Sequence, residues 1–274
     1  MTETSAPADT TTTRELSRQL VLLLANVTVI TALLVYFGWR RAESQAAALG
    51  IDESILGMST RDYLLRSVGP VLQLLLAIGV AGLAAVAADR AVRARVAAGW
   101  QPRRWVPWLL AAIAIALPVL VYATRSVWDE VAFQLFPVTL AAGLGLLIYA
   151  YRLRFQPEPS PAMQLFAVLI FGVLLFWTAS NRAEVLGNQL AADYIAGSAT
   201  EKISVEVSSD KPVALLEDPS ILRNHDGRSY RYAGLRLLDR IDKRVFVVPE
   251  GWQPGSGPVV VLTDDGSLTF GYGR

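Results

Sequence analysis

The sequence predicts a membrane α-helical bundle of about five transmembrane helices followed by a small all-β domain, either a barrel or a sandwich. Five apolar runs are each about 20 residues long, the length that crosses the hydrocarbon core of a bilayer. After about residue 200 the spacing of apolar residues changes from helical to alternating, which is typical of half-buried strands. The 274 residues are 53% hydrophobic and 18% charged, which favours a membrane class over a soluble one.

The chain begins with a polar tail and an uncleaved first span. Residues 1–13 have no apolar periodicity, so we expect a disordered cytoplasmic tail. The run 20–39 is too long for the apolar core of a signal peptide, and the first basic residue is only Arg14. The predicted spans are 20–39, 68–88, 105–123, 131–151 and 162–180. The predicted domains are the tail, a bundle at 14–180 with an outer helical loop at 40–67, a helical stalk at 181–198 and the β domain at 199–274.

The loop 40–67 carries two helix-start signals. Asp52 is placed to cap a short helix, and Ser59 followed by Asp62 has the spacing of a capping box, so a helix should run from there into the second span. One interpretation is a pair of interfacial helices packed on the bundle. The other is an outer docking face for a partner, or the rim of a pore. That face would consist of Asp52, Glu53, Arg61, Asp62 and Arg66.

The distribution of basic residues predicts the orientation, because short loops rich in Lys and Arg stay in the cytoplasm. The loop after the second span contains five arginines against Asp89, and the loop after the fourth contains Arg152 and Arg154 against Glu158. With both loops inside and five spans, the N terminus is cytoplasmic and the C-terminal domain extracytoplasmic, in a bacterial plasma membrane. Arg40 and Arg41 after the first span are a local exception.

The predicted spans have no ionisable residue near their middles, which argues against a proton-coupled transporter or pump. Some polar residues remain as candidates for helix packing or pore lining: Asn26, Gln73, Gln134 and Gln164. Small residues recur at intervals of four, which predicts close helix packing within the chain or in an oligomer. They are Ala77, Ala81 and Ala85, then Ala112 and Ala116, then Ala141 and Gly145.

The C-terminal part of the sequence predicts a long helix and then short strands. The stretch 162–197 is compatible with one helix that leaves the membrane as a stalk. Alternation predicts a strand at 203–208, and further strands are expected at 213–216, 230–239, 244–249, 258–263 and 267–273. Asp265-Gly266 predicts a hairpin turn, and 224–227 predicts another.

The residue inventory excludes several kinds of chemistry. There is no cysteine and only one histidine, so disulfides, thiolate zinc sites and multi-histidine metal sites within one chain are excluded. His225 lies in a predicted turn, where we expect it to be solvated. No nucleophile elbow or nucleotide-binding fingerprint occurs, and acids interrupt the basic residues, which argues against nucleic-acid binding. The sequence therefore predicts a protein that is not an enzyme and has no cofactor or metal.

Several phrases resemble a known kind of protein. YFGW at 36–39, GIDESILGMSTRDYLLRS at 50–67, YRYAGLRLL at 230–238 and VFVVPEGW at 245–252 are similar to those of uncharacterised actinobacterial polytopic membrane proteins with an extracytoplasmic C-terminal β domain. The resemblance implies this architecture, and no site residue is carried over from it.

Two functions fit these patterns. The first is a non-enzymatic membrane scaffold, an accessory or sensing subunit whose outer β domain binds a protein or envelope component. The second is a homo-oligomeric channel or pore in which the outer helices and the β domain form a vestibule. The expected partners are the lipid bilayer and either further copies of this chain or a membrane or envelope protein.

Overall fold

A computed structural model describes residues 9–99, 103–155, 160–196, 203–213, 215, 220–255 and 257–273, with side chains from residue 27 onward. The helices are α1 (Asp9–Ala48), α2 (Glu53–Leu56), α3 (Thr60–Ala97), α4 (Val106–Ala123), α5 (Asp129–Phe155) and α6 (Pro161–Ala196), with a 3₁₀ turn at Thr124–Ser126. The strands are β1 (Ser204–Ser209), β2 (Leu222–His225), β3 (Tyr230–Ile241), β4 (Arg244–Pro249), β5 (Val260–Thr263) and β6 (Leu268–Gly273).

The chain divides into two compact units. The bundle unit contains α1 up to Gly38 and then Asp62–Ser180. The sheet unit contains Trp39–Arg61 and Asn181–Arg274. Helices α1 and α6 are continuous through the residues where one unit ends and the other begins, so each helix contributes residues to both units. The loop predicted at 40–67 is therefore divided, and most of it belongs with the strands.

Four helices in the described residues are long and apolar enough to cross a membrane, namely Thr60–Ala97, Val106–Ser126, Asp129–Phe155 and Pro161–Ala196. Their apolar windows have mean hydropathies between 2.0 and 2.4, and at most 17% of any window is buried by protein. These features support a multi-pass membrane protein. The predicted first span lies within α1, but the side chains of its first residues are outside the described set, so the fifth span stays a prediction.

Aromatic side chains connect neighbouring helices of the bundle unit. The ring of Tyr36 on α1 lies 5.9 Å from that of Phe176 on α6, and its hydroxyl is 3.2 Å from the Ser180 hydroxyl. Phe136 on α5 contacts both Trp177 on α6 at 5.7 Å and Tyr122 on α4 at 6.0 Å. This arrangement places α5 between α4 and α6, with α6 beside α1.

Helices α4 and α5 approach each other closely at Gly143, where an added Cβ would collide with the backbone oxygen of Ala114. Small residues thus allow close packing, as the sequence predicts, but within the chain the contact on α4 is made at Ala114 rather than at the predicted pair, whose packing in an oligomer stays a prediction. Ala112 and Ala116 are exposed, whereas Ala114 is buried. Because alanine is abundant around α4, several helical faces contain small residues at intervals of four, and the spacing alone does not select the one in contact.

The strands form one antiparallel sheet in the order β5-β4-β3-β1-β6, and β2 pairs with the first residues of β3. In a flat sheet, the end of β5 and the start of β6 would lie at diagonal corners more than about 30 Å apart, from the strand rise and spacing. The link from Thr263 to Leu268 spans at most about 18 Å. The sheet must therefore curl.

Strand predictions are confirmed for β1, β3, β4, β5 and β6 within a few residues of each end. Strand β2 is missing from the sequence prediction, which placed His225 in a turn; the residue ends β2 and pairs with Tyr230. The turn occupies the next residues, 226–229. The strand predicted at 213–216 is not formed by its described residues, Val213 and Leu215, and its other two residues lie outside the described set.

Candidate binding surfaces of the sheet unit

Strand β4 is covered on both of its faces. Val245 and Val247 point into the core inside the curled sheet, and Phe246 belongs to a separate cluster on the opposite face. That second cluster contains Ala46 at the end of α1 and Leu56 of α2. The chain's own segment between α1 and α3 therefore packs on the outer face of the sheet. Sequence reasoning missed this contact, although the unbroken apolar run VFVV at 245–248 is typical of a strand buried on both faces.

Capping interactions at both ends of α2 fix the conformation of this segment, which covers the outer face of the sheet. The Asp52 carboxylate accepts hydrogen bonds from the Ser54 hydroxyl at 2.6 Å and the Ser54 backbone N–H at 2.8 Å, so it caps α2 as predicted. These hydrogen bonds hold the pKa of Asp52 below its ordinary value. Gly57 ends α2 in the left-handed conformation with φ of 60°, next to the Arg244 side chain of β4. A larger residue at 57 would be strained and would displace Arg244.

The ends of α1 and α6 pair closely within the sheet unit. An added Cβ on Gly187 would approach the backbone oxygen of Arg41 and lie 2.9 Å from the Gln45 backbone nitrogen. The Arg40 guanidinium bridges Glu43 and Glu184, at 2.6 Å to each carboxylate. The hydrogen bond to Glu43, together with Glu184, raises the pKa of Arg40 and keeps it charged. The numbers of the contacting residues rise in the same direction along both helices, from Arg40 with Glu184 to Gln45 with Gly187, so the two helices run parallel.

Helix α6 also contacts the sheet near its own C-terminal end. The Tyr194 hydroxyl donates a hydrogen bond of 3.2 Å to the backbone oxygen of Leu237 on β3. Burial raises the pKa of this hydroxyl, which keeps the donor protonated. Leu238, the next residue, belongs to the outer cluster with Phe246. Helices and strands of this unit thus form one continuous packed body.

An open groove of about 450 Å³ lies where β5 and β6 come together. Val261 and Thr263 of β5 and Leu268 of β6 line it, along with the residues that follow β1, including Asp210 and Lys211. Among the described residues β5 pairs only with β4, and β6 only with β1, so each strand has an edge without a strand partner. Such edges offer backbone donors and acceptors to an extended polypeptide.

The rim of the groove is built by short polar contacts. The Asp265 carboxylate accepts hydrogen bonds from the Ser267 hydroxyl at 2.6 Å and the Ser267 N–H at 3.0 Å, and the pKa of Asp265 is lowered in consequence. The Ser209 hydroxyl accepts a hydrogen bond of 3.2 Å from the Lys211 N–H. These contacts hold both sides of the groove in a defined conformation. Nothing in the spacing of these residues distinguishes them from ordinary turns, so the sequence did not reveal the groove.

The structure divides the predicted docking face between the two units. Asp52, Glu53 and Arg61 belong to the sheet unit, and Asp62 and Arg66 belong to the bundle unit. Asp52 serves as a helix cap, and α2 contributes Leu56 to the sheet's outer cluster. Helix α2 packs on the sheet through Leu56, and the docking face stays a prediction.

The predicted polar residues of the spans lie on different helices. Gln73 on α3 and Gln164 on α6 are exposed, whereas Gln134 on α5 is half-buried. The side chain of Asn26 is outside the described residues. Within one copy of the chain, these positions therefore do not converge on a common site.

Metal-ligating side chains do not form a cluster in the described residues. No group of three His, Cys, Asp or Glu side chains that could hold a metal ion occurs there. The His225 ring stacks on Tyr230 at 4.2 Å, and its Nδ1 is 3.3 Å from the Ser229 backbone oxygen.

Comparisons of the chain with protein-family models, curated proteins and solved structures found no match. The actinobacterial resemblance stays a prediction.

Proposed function

We propose that the protein is a non-enzymatic membrane scaffold, an accessory or sensing subunit whose sheet unit binds a protein or an envelope component outside a bacterial plasma membrane. The observation that supports this proposal most is the groove between β5 and β6, which combines a defined polar rim with two strand edges that have no strand partner among the described residues. The outer face of β4 is covered by the chain itself, so it does not compete as a docking surface.

The chemistry of the groove favours an extended polypeptide as the ligand. A segment laid along β5 would gain main-chain hydrogen bonds, and side chains on alternate positions would enter the groove beside Val261 and Leu268. Asp210 and Lys211 at the rim supply one charge of each sign. A partner with a short strand of mixed polarity fits this surface.

The proposed orientation has the N terminus in the cytoplasm and the sheet unit outside. Basic loops after the second and fourth predicted spans support it through the positive-inside rule. The parallel course of α1 and α6 is consistent with it, because parallel spans end on the same side of a membrane. Cysteine labelling of Ser256→Cys and Arg95→Cys variants in intact cells tests this point, since a membrane-impermeant maleimide should label only the first.

Site-specific photocrosslinking in native cells tests the binding proposal. A photoreactive amino acid at Thr263, on the exposed edge of β5, should form an adduct with a distinct protein. The matched control is Arg228, which is exposed in the turn between β2 and β3 and does not line the groove. Adducts at Thr263 but not at Arg228 would support the proposal. Adducts at neither position, or equally at both, would contradict binding at the groove.

A homo-oligomeric channel is the second candidate, favoured by one observation. Gln73 is exposed on α3 and lies four residues before the exposed series Ala77, Ala81 and Ala85, so a polar group and a smooth ridge share one helical face. Facing a shared axis, Gln73 would line a pore. Conductance in reconstituted bilayers that changes in Gln73→Leu would support this function. An absence of conductance across voltage and membrane tension would contradict it.

A further inference from the structure

The C-terminal end of α5 contains two arginines, and each of them lines a different groove. Arg152 and Arg154 are two residues apart, so on a helix they point to nearly opposite sides. Arg154 lies at a groove between α5 and α4, and Arg152 lies at a groove between α5 and α6. Both grooves belong to the bundle unit and are lined by residues of the apolar helices.

The groove between α4 and α5 is the larger, at about 430 Å³. Its walls are apolar and include Ala111, Leu147 and Pro107, and its basic end contains Trp108 and Arg154. The Arg154 guanidinium lies 5.5 Å from the centre of the Trp108 ring. Arg154 is therefore held beside the groove by a cation–π contact while its donors stay exposed.

The surrounding charge makes this end of the groove attractive to an anion. Arg103 and Arg104 immediately precede α4, whose first turn contributes Trp108. The second groove, of about 210 Å³, repeats the pattern with Arg152 at one end and Leu144, Ile148 and Ile170 along its length. Each groove thus has an apolar length and a single guanidinium, and the groove between α4 and α5 also contains Trp108 and Tyr151, residue types that favour a membrane interface.

We propose that the groove between α4 and α5 binds an anionic phospholipid, with the phosphate on Arg154 and one acyl chain along Ala111 and Leu147. Guanidinium donors match phosphate oxygens in geometry and charge, and the apolar walls match a hydrocarbon chain. Trp108 orients the guanidinium and lies at headgroup level. This inference does not depend on what the sheet unit binds.

Lipid retention by the full-length protein tests the proposal. The protein is purified in mild detergent, mixed with equal amounts of phosphatidylglycerol and phosphatidylcholine, and measured by native mass spectrometry. The wild type should retain phosphatidylglycerol preferentially, and Arg154→Gln should lower that retention about fivefold, as expected for one basic contact to an anionic headgroup. Leu147→Trp should lower it as well, because the larger ring fills the path of the acyl chain.

Arg125→Gln is the matched control. Arg125 makes the same kind of contact, at 4.8 Å from the Tyr122 ring, but lies at the opposite end of α4. Its loss should leave phosphatidylglycerol retention unchanged. Arg154→Lys, which keeps the charge, should retain more lipid than Arg154→Gln and serves if the latter fails to fold. Equal retention of both lipids by the wild type would overturn the proposal. So would equal losses in Arg154→Gln and Arg125→Gln, or an effect of Arg154→Gln with none from Leu147→Trp, which would indicate a simple anion site.

Discussion

The two halves of α6 expose different kinds of residue. In the bundle unit its large apolar side chains are exposed, with 68% of Leu165 and 71% of Val168 accessible. In the sheet unit the same helix buries small and polar residues, including Ala183, Ala191 and Asn181. The helix is continuous through Pro161–Ala196, so the change is not caused by a break in secondary structure.

The difference indicates which solvent each half meets. Exposing large apolar side chains to water costs about 25 cal/mol for each Å² of surface, whereas contact with lipid chains removes that cost. The first half of α6 is thus suited to a bilayer. The second half packs as helices do in water, through close backbone contact at Gly187 and a covered sheet. Three predictions test this contrast, in order of decreasing effect.

Removing the ring of Phe246 should destabilise the sheet unit most. The side chain is 1% exposed and joins β4 to α1 and α2, so Phe246→Ala should cost about 3–5 kcal/mol. Hydrogen exchange of the full-length protein in nanodiscs should show faster exchange in β3, β4 and residues 46–58, while α4 and α5 stay protected. Leu222→Ala is the control, because Leu222 is 67% exposed and its loss should change little. Unchanged exchange in Phe246→Ala would contradict the covering contact.

A Gly→Ala substitution should change stability differently in the two halves of α6. Gly187→Ala should cost about 1–3 kcal/mol, because the added Cβ collides with the backbone of α1. Gly172→Ala meets nothing within 4 Å and should be neutral or stabilising, by up to about 1 kcal/mol from the higher helix propensity of alanine. Thermal unfolding in detergent measures both variants. Equal midpoints would show that the close pairing of α1 and α6 is absent.

Acid should weaken the sheet unit through three turn aspartates. Hydrogen bonds from Ser54, Ser229 and Ser267 lower the pKa of Asp52, Asp226 and Asp265 respectively. A carboxylate whose pKa is lower in the folded state than in the unfolded state stabilises the fold at pH values above its unfolded pKa of about 3.9. This stabilisation is lost as the pH falls through the pKa of the folded state. The protection of backbone amides in the sheet unit against hydrogen exchange should therefore decrease below about pH 4. The decrease should be smaller in the triple Asp→Asn variant, and an identical acid profile would exclude these carboxylates as its cause.

Much of the fold follows from local pattern. The capping signals at Asp52 and Ser59 predicted the start of α2 and the region where α3 begins, and alternation located β1. The prediction missed β2, because LRNH at 222–225 is a short, exposed strand without alternation. The groove residues belong to two strand edges that are distant in pairing order, and no sequence pattern encodes their proximity.

The sequence by itself determined the apolar helices, the position where strands begin and the exclusion of cysteine chemistry, since these depend on composition and on periods of two or 3.6 residues. Only the tertiary structure decided that residues 46–58 cover the sheet, that α1 and α6 run side by side in parallel and that β5 and β6 share a groove. These contacts join residues far apart in the chain. Their partners are selected by complementary shape and by close backbone approach, which one-dimensional spacing does not record.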